Sequence, residues 1–150
     1  MNSGALDPFD LERFAVAQDG GGTYEFAVAE LRAGRKHGHW MWFVFPQVAG
    51  LGMSGTSRRY AISSLEEARG YLAHPVLGPR LEECARVLAA LTGRTAREIF
   101  GSVDEMKLRS SMTLFARAAP GNRLFQEVLD LYFGGSADER TDALLDAGMN

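Results

Sequence analysis

The sequence has one cysteine, five prolines and three histidines in 150 residues, and little net charge of either sign. Each shortage excludes something. A single thiol, Cys84, forms no internal disulfide and no multi-cysteine zinc site. His37 and His39 stand two apart, and a zinc shell needs a third or fourth ligand. The remaining histidine, His74, precedes Pro75 and reads as a helix C-terminal residue, where a cation is favourable, so no metal site is assigned. No apolar run approaches the roughly 18–20 residues of a membrane span. The stretch Met1-Asn2-Ser3-Gly4-Ala5-Leu6-Asp7-Pro8 lacks the basic start and apolar run of a signal peptide, and the expected location is the cytoplasm. A formal net charge of −3 disfavours nucleic acid, since duplex binders carry a basic excess.

What is present is a globular balance, 46% hydrophobic and 23% charged residues, in a length that suits one domain. Start and stop signals divide it into helices. Asp7 and Pro8 open the first, with Leu11, Phe14, Ala15 and Val16 on its apolar face and a break at Gly20-Gly21-Gly22. Thr23 opens the second, with Phe26, Val28, Ala29 and Leu31, stopped at Gly34. Ser63-Ser64-Leu65-Glu66-Glu67 holds two overlapping capping boxes for a helix through Leu72. Pro79 opens the next, with Leu81, Cys84, Ala85, Leu88 and Leu91 at helical spacing, up to Gly93. Thr95–Glu98 caps a short helix closed at Gly101. Ser102–Glu105 caps one to about Ala118. Asn122 caps a helix through Tyr132, and Ser136–Glu139 caps the last, through Leu145. The expected fold is all-α: a single compact orthogonal multi-helix domain of about eight helices over 7–147 with one long irregular loop. Residues 1–6 and 148–150 are expected to be tails.

The irregular loop, Arg35 to Ile62, is chemically the densest part. Trp40-Met41-Trp42-Phe43-Val44-Phe45 is too short to separate a strand from a buried helical turn. Loops of this length inside compact domains are often functional. Both tryptophans and two of the histidines lie here, with Gln47, Arg58, Arg59 and Tyr60.

Ala33-Gly34-Arg35-Lys36-His37-Gly38-His39-Trp40-Met41-Trp42-Phe43-Val44-Phe45-Pro46-Gln47 resembles the signature of the bacterial domain-of-unknown-function family 1810. Further resemblances follow in order: Gly50-Leu51-Gly52, Tyr60-Ala61-Ile62, His74-Pro75-Val76-Leu77-Gly78-Pro79-Arg80-Leu81, Ile99-Phe100-Gly101, Lys107-Leu108-Arg109-Ser110-Ser111-Met112-Thr113-Leu114-Phe115, Tyr132-Phe133-Gly134-Gly135 and Asp138-Glu139-Arg140-Thr141. They run from about Asp7 to Leu145. The resemblance implies a mainly α-helical domain and no established activity.

The candidate site residues each have a functional and a structural reading. His39 can be a general acid/base or a backbone-bonded turn residue. Trp40 and Trp42 can wall a pocket or fill the core. Gly50-Leu51-Gly52-Met53-Ser54-Gly55 fits G-x-G-x-x-G, but no βαβ unit surrounds it, so a dinucleotide fold is not expected. Its backbone amides, with Arg58 and Arg59, can still hold a phosphate. Lys107, Ser110 and Ser111 share a helix face beside the apolar Leu108, Met112 and Phe115. Lys107 and Ser111 could form a base and nucleophile, or contact a ligand, with Thr113 beside them. Cys84 reads as a buried inert thiol. Asp138 and Glu139 complement a helix dipole, and Arg140 reads as an ion-pair residue before a functional one.

Two functions follow. The first is a site for an anionic planar small molecule of the nucleotide, NAD or ADP-ribose kind. It is built from Trp40, Trp42, Gln47, Gly50, Gly52, Arg58, Tyr60, Ser110 and Thr113, with hydrolysis by His39, Lys107 and Ser111 as the simplest chemistry. That chemistry requires His39 to reach Lys107 or Ser111, or a common pocket. The second is a non-catalytic protein-interaction module whose charged loop docks a partner that the sequence does not identify. Neither reading needs a cofactor.

Overall fold

Glycines in left-handed conformations and side chains that cap free amides cut this chain into its elements. The computed structural model describes residues 7–148; the expected tail 1–6 and residues 149–150 lie outside the described residues. Nine α-helical segments follow in order: α1 (Glu12–Asp19), α2 (Thr23–Ala33), α3 (Met41–Val44), α4 (Gly55–Arg59), α5 (Leu65–Ala73), α6 (Leu77–Ala90), α7 (Ala96–Ala118), α8 (Leu124–Phe133) and α9 (Glu139–Gly148). The fold is a single all-α domain, as the sequence pattern predicts.

Several boundaries differ, for local reasons. Asp7 does cap the first helix: its carboxylate accepts from the Leu11 and Glu12 amides at 2.7 and 3.0 Å. But Asp10 adopts φ 52°, so the helix starts at Glu12 and Pro8 lies in the preceding turn. Helix α6 starts at Leu77, two residues before Pro79, because the His74 ring does the capping. Its Nδ1 accepts from the Val76 and Leu77 amides at 3.1 and 3.2 Å. Ser102–Glu105 is not a capping box: Glu105 accepts from the Arg97 guanidinium instead. Asp138, not Ser136, caps α9, its carboxylate accepting the Thr141 amide at 3.0 Å. The Thr95–Glu98 box forms in both directions. Gly101, at φ 83°, breaks α7 where a short and a long helix are expected to meet. The stretch Arg35–Ile62 is not wholly irregular: Trp40–Phe45 contains the helical turn α3, and α4 follows.

Helix α7 is the organising element, packed on α8, α5 and α9, while α6 joins α8, α5 and α2. The predicted faces are buried with three exceptions, the exposed Val16, Phe26 and Ala29. Phe14, Ala15, Val28, Leu31, Leu81, Cys84, Leu108, Met112 and Phe115 lie in the core. Val16 and Phe26, 67% and 65% exposed, do not. Helix α2 turns Tyr24 and Ala27 inward in place of Phe26. Glycine is required at Gly78 by packing: a Cβ there would stand 2.0 Å from the Leu72 carbonyl oxygen of α5. Among the described residues, no helix is long and apolar enough to cross a membrane.

Candidate functional site

The loop from Arg35 to Ile62 is held at three points. At its start the Lys36 amide donates to the Ile99 carbonyl at 2.8 Å, tying it to the first turn of α7. In its middle Glu30 gathers the turn: one carboxylate oxygen accepts from the His37 and Gly38 amides and the Trp40 indole N–H, at 2.8, 3.0 and 2.9 Å. Burial acts to raise the Glu30 carboxyl, but these three donors outweigh it and hold the group below its ordinary range. At its end an isolated parallel bridge pairs Val48 with Ile62. The Ala49 amide donates to Ile62 and the Ile62 amide to Gln47, both at 2.8 Å. Arg13 of α1 secures the return, donating to the Arg59 and Ala61 carbonyls and to Glu67.

Between the second and third fastenings the chain leaves open space. A cavity of about 200 Å³ is lined by Trp42, Gln47, Gly50, Gly52, Arg58 and Tyr60, with Val48, Ala49, Ser57 and Ala61 completing it. A second, of about 170 Å³, shares the Trp42, Gln47 and Gly52 walls and adds Leu51, Met106, Lys107, Ser110, Asp138 and Arg140. Gly52 is small because α4 comes close: a Cβ would lie 2.7 Å from that of Ser57 and 3.8 Å from the Trp42 ring. Ser54 fixes α4, its hydroxyl accepting the Ser57 amide at 3.1 Å. Tyr60 is braced on Phe43 and Phe14, ring centroids 5.4 and 5.9 Å away.

Charge enters from α7. Lys107 Nζ lies 4.1 Å from the centroid of the Trp42 ring and 3.0 Å from Asp104 Oδ1. Lys36 reaches the other oxygen of Asp104 at 2.7 Å. Burial acts to raise the Asp104 carboxyl, and the two ammonium groups overcome it, holding the acid below its ordinary range. Arg58, on the first cavity, makes no ion pair among the described residues. Nor does Arg140, expected as an ion-pair residue, on the second.

The expected site residues therefore divide. Trp42, Gln47, Gly50, Gly52, Arg58 and Tyr60 meet in one cavity, and Lys107 and Ser110 join through the second. Trp40 is not a wall: it is 1% exposed, packed near Phe45, its N–H spent on Glu30. His39 is exposed and lines neither cavity. Ser111 is fully buried, its hydroxyl without a hydrogen-bond partner, and lines neither cavity. Thr113 is buried too, donating to the Arg109 carbonyl and accepting the Asp138 amide, which anchors the start of α9. Of the histidine, lysine and serine needed for hydrolysis, only Lys107 thus lines either cavity. Cys84 is buried, and burial pushes its thiol up to about 12.

Sequence reasoning missed Glu30, Asp104 and Ser57. Asp104 carried a legible signal, lying one turn before Lys107 on the same helix face. Glu30 had none, because its partners arrive from a loop whose path the sequence does not disclose.

No curated protein matches the chain. Among solved structures it is similar to the conserved hypothetical protein Rv1873 from Mycobacterium tuberculosis, in a crystal structure at 1.38 Å. The two share 58% sequence identity over 93% of this chain and 99% of that one, with a TM-score of 0.90. The model of the family described as "Protein of unknown function (DUF1810)" matches residues 8–145, so the chain belongs to that family.

Proposed function

We propose that the paired cavities around Trp42 bind an anionic, planar small molecule of the nucleotide, NAD or ADP-ribose class. One observation carries the reading: a half-buried indole walls two adjoining cavities, with an ammonium over its ring and an unpaired guanidinium on either cavity. An aromatic wall suits a flat ring, and the surrounding cations suit an anion. Each cavity is smaller than the roughly 300–1,000 Å³ of a drug-sized ligand's site, so the ring and the charged group of a ligand would occupy different lobes. The reading is one of binding, not of hydrolysis, since Lys107 lines a cavity that His39 and Ser111 do not. A protein-docking loop is the second reading. Its support is Met53, 78% exposed on the same segment.

The test is a thermal-shift screen against nucleotides, NAD, ADP-ribose and sugar phosphates, with tryptophan emission followed in parallel. A ligand at a hundred times its Kd adds about 2.7 kcal/mol, a shift of several degrees for a small domain. The expected result is a hit that changes Trp42 emission and is lost in Trp42→Leu and Arg58→Ala. Silence across the panel overturns the reading and turns attention to a protein partner.

A further inference from the structure

Lys36, Asp104 and Lys107 form a triad with an odd charge. Lys36 Nζ lies 2.7 Å from one Asp104 oxygen and Lys107 Nζ 3.0 Å from the other; the three side chains are 7%, 18% and 20% exposed. One carboxylate therefore serves two ammonium groups where water compensates little of the excess. The two lysines are not equivalent. Lys36 has a second oxygen, the Gly38 carbonyl at 2.5 Å. Lys107 has no second oxygen partner among the described residues, and its remaining contact is the face of Trp42. It is also the member of the triad that lines a cavity, beside Ser110, Asp138 and Arg140.

Asp138 does not supply the missing charge. Its Oδ2 already accepts from the Thr141 amide, the Thr141 hydroxyl and the Ser110 hydroxyl as the cap of α9. Arg140 stands on the same wall with no ion-pair partner among the described residues. Three cations, Lys36, Lys107 and Arg140, thus face two carboxylates, Asp104 and Asp138. The cluster is positive in a chain whose formal net charge is −3. A localised excess against the sign of the whole molecule concentrates anions at one place.

We propose that the triad is the anion-receiving end of the site: an oxyanion oxygen of the ligand enters the second cavity and takes the ammonium hydrogens that Lys107 does not give to Asp104. The inference rests on the reading that the Trp42 cavities bind a small molecule. Phosphoryl and carboxylate oxygens share the required chemistry, and Asp104 acts as a positioning residue that keeps Lys107 over Trp42.

The full chain in low-salt buffer is titrated with three probes: sodium pyrophosphate, sodium citrate and adenosine, which has the ring without the charge. Tryptophan emission and melting temperature are both recorded. The expected result is a saturable response to pyrophosphate or citrate that weakens about tenfold or more in Lys107→Gln, the loss of a charge-assisted hydrogen bond. It is unchanged in Arg86→Gln, on the exposed face of α6. Arg140→Gln, at an exposed position, weakens the same response and serves if Lys107→Gln melts too early to titrate. A response to neither anion, or one retained in both variants, overturns the proposal. Binding of adenosine without either anion overturns the triad's role and leaves the site standing. Silence toward all three probes and the phosphate panel removes both.

Discussion

Trp40 and Trp42 stand two residues apart on one short turn, and each has a lysine over its ring from the same ionic triad: Lys36 at 5.0 Å, Lys107 at 4.1 Å. Around Trp40 every polar need is met. The indole N–H donates to Glu30, which also takes the His37 and Gly38 amides, and Gly38 passes so close that a Cβ would lie 2.8 Å from the Trp40 ring. Around Trp42 the chain stays open, with cavities, an unpaired arginine and the ammonium of Lys107, which shares one carboxylate with Lys36. The difference teaches that residue type does not assign a role here. Completed hydrogen bonds and close packing make Trp40 part of the scaffold, and their absence makes Trp42 available.

The sharpest way to break this comparison is to truncate both rings. Trp40→Ala empties a core position and is expected to cost about 3–5 kcal/mol. Trp42→Ala loses a half-buried ring and one cation–π contact, and should cost about 1–2 kcal/mol. Urea unfolding of both variants measures the gap. Equal losses would mean that Trp42 is as much a core residue as Trp40.

A smaller effect is expected from Glu30→Ala, about 2 kcal/mol, because the buried indole N–H loses its acceptor while the exposed His37 amide can turn to water. The effect depends on pH. The Glu30 carboxyl is held below its ordinary value of 4.5, so its contribution is fully present above that value. It is lost as pH falls through the lowered folded-state value. The stability difference between wild type and variant should therefore be constant near neutrality and shrink below about pH 4.5. A difference that persists undiminished in acid would show that Glu30 acts by packing and not by charge.

Helices were legible in this sequence because their signals are local. Thr95 and Glu98, Gly34, and the alternation of Leu108, Met112 and Phe115 each act within a turn or two. Boundaries failed where a nearby residue took a role its type does not announce: Asp10 adopting a left-handed conformation, or the His74 ring capping the helix that starts three residues on. The candidate site was legible as a segment. The density of aromatic and basic residues between Arg35 and Ile62 marked a segment that borders a cavity, where Trp42, Gln47, Gly50, Gly52, Arg58 and Tyr60 do meet. What failed was discrimination within it. His39, Trp40 and Trp42 look alike in composition, and only the path of the turn over Glu30 decides which is buried, exposed or beside a cavity. On α7 the same limit applies: Lys107, Ser110 and Ser111 share a face by spacing, yet a rotation of one residue buries Ser111 and leaves Ser110 at the wall.

His39 gives the smallest expected effect and the finest test of that distinction. It belongs to the same dense segment, but it is exposed, and no ring or cavity of the site depends on it. His39→Ala is expected to change stability by less than about 0.5 kcal/mol, as for a surface residue away from caps and networks. Its response to whichever ligand shifts the wild type should be unaltered, whereas Arg58→Ala, also exposed but on the first cavity, should lose it. The two variants share surface position, loss of a polar side chain and the same loop, so they differ chiefly in whether the residue borders the Trp42 cavities. If His39→Ala abolished the ligand response while leaving the melting temperature intact, the bound ligand would have to extend beyond the cavities toward the turn held by Glu30. The division between the closed region around Trp40 and the open one around Trp42 would then mark only the inner part of the site.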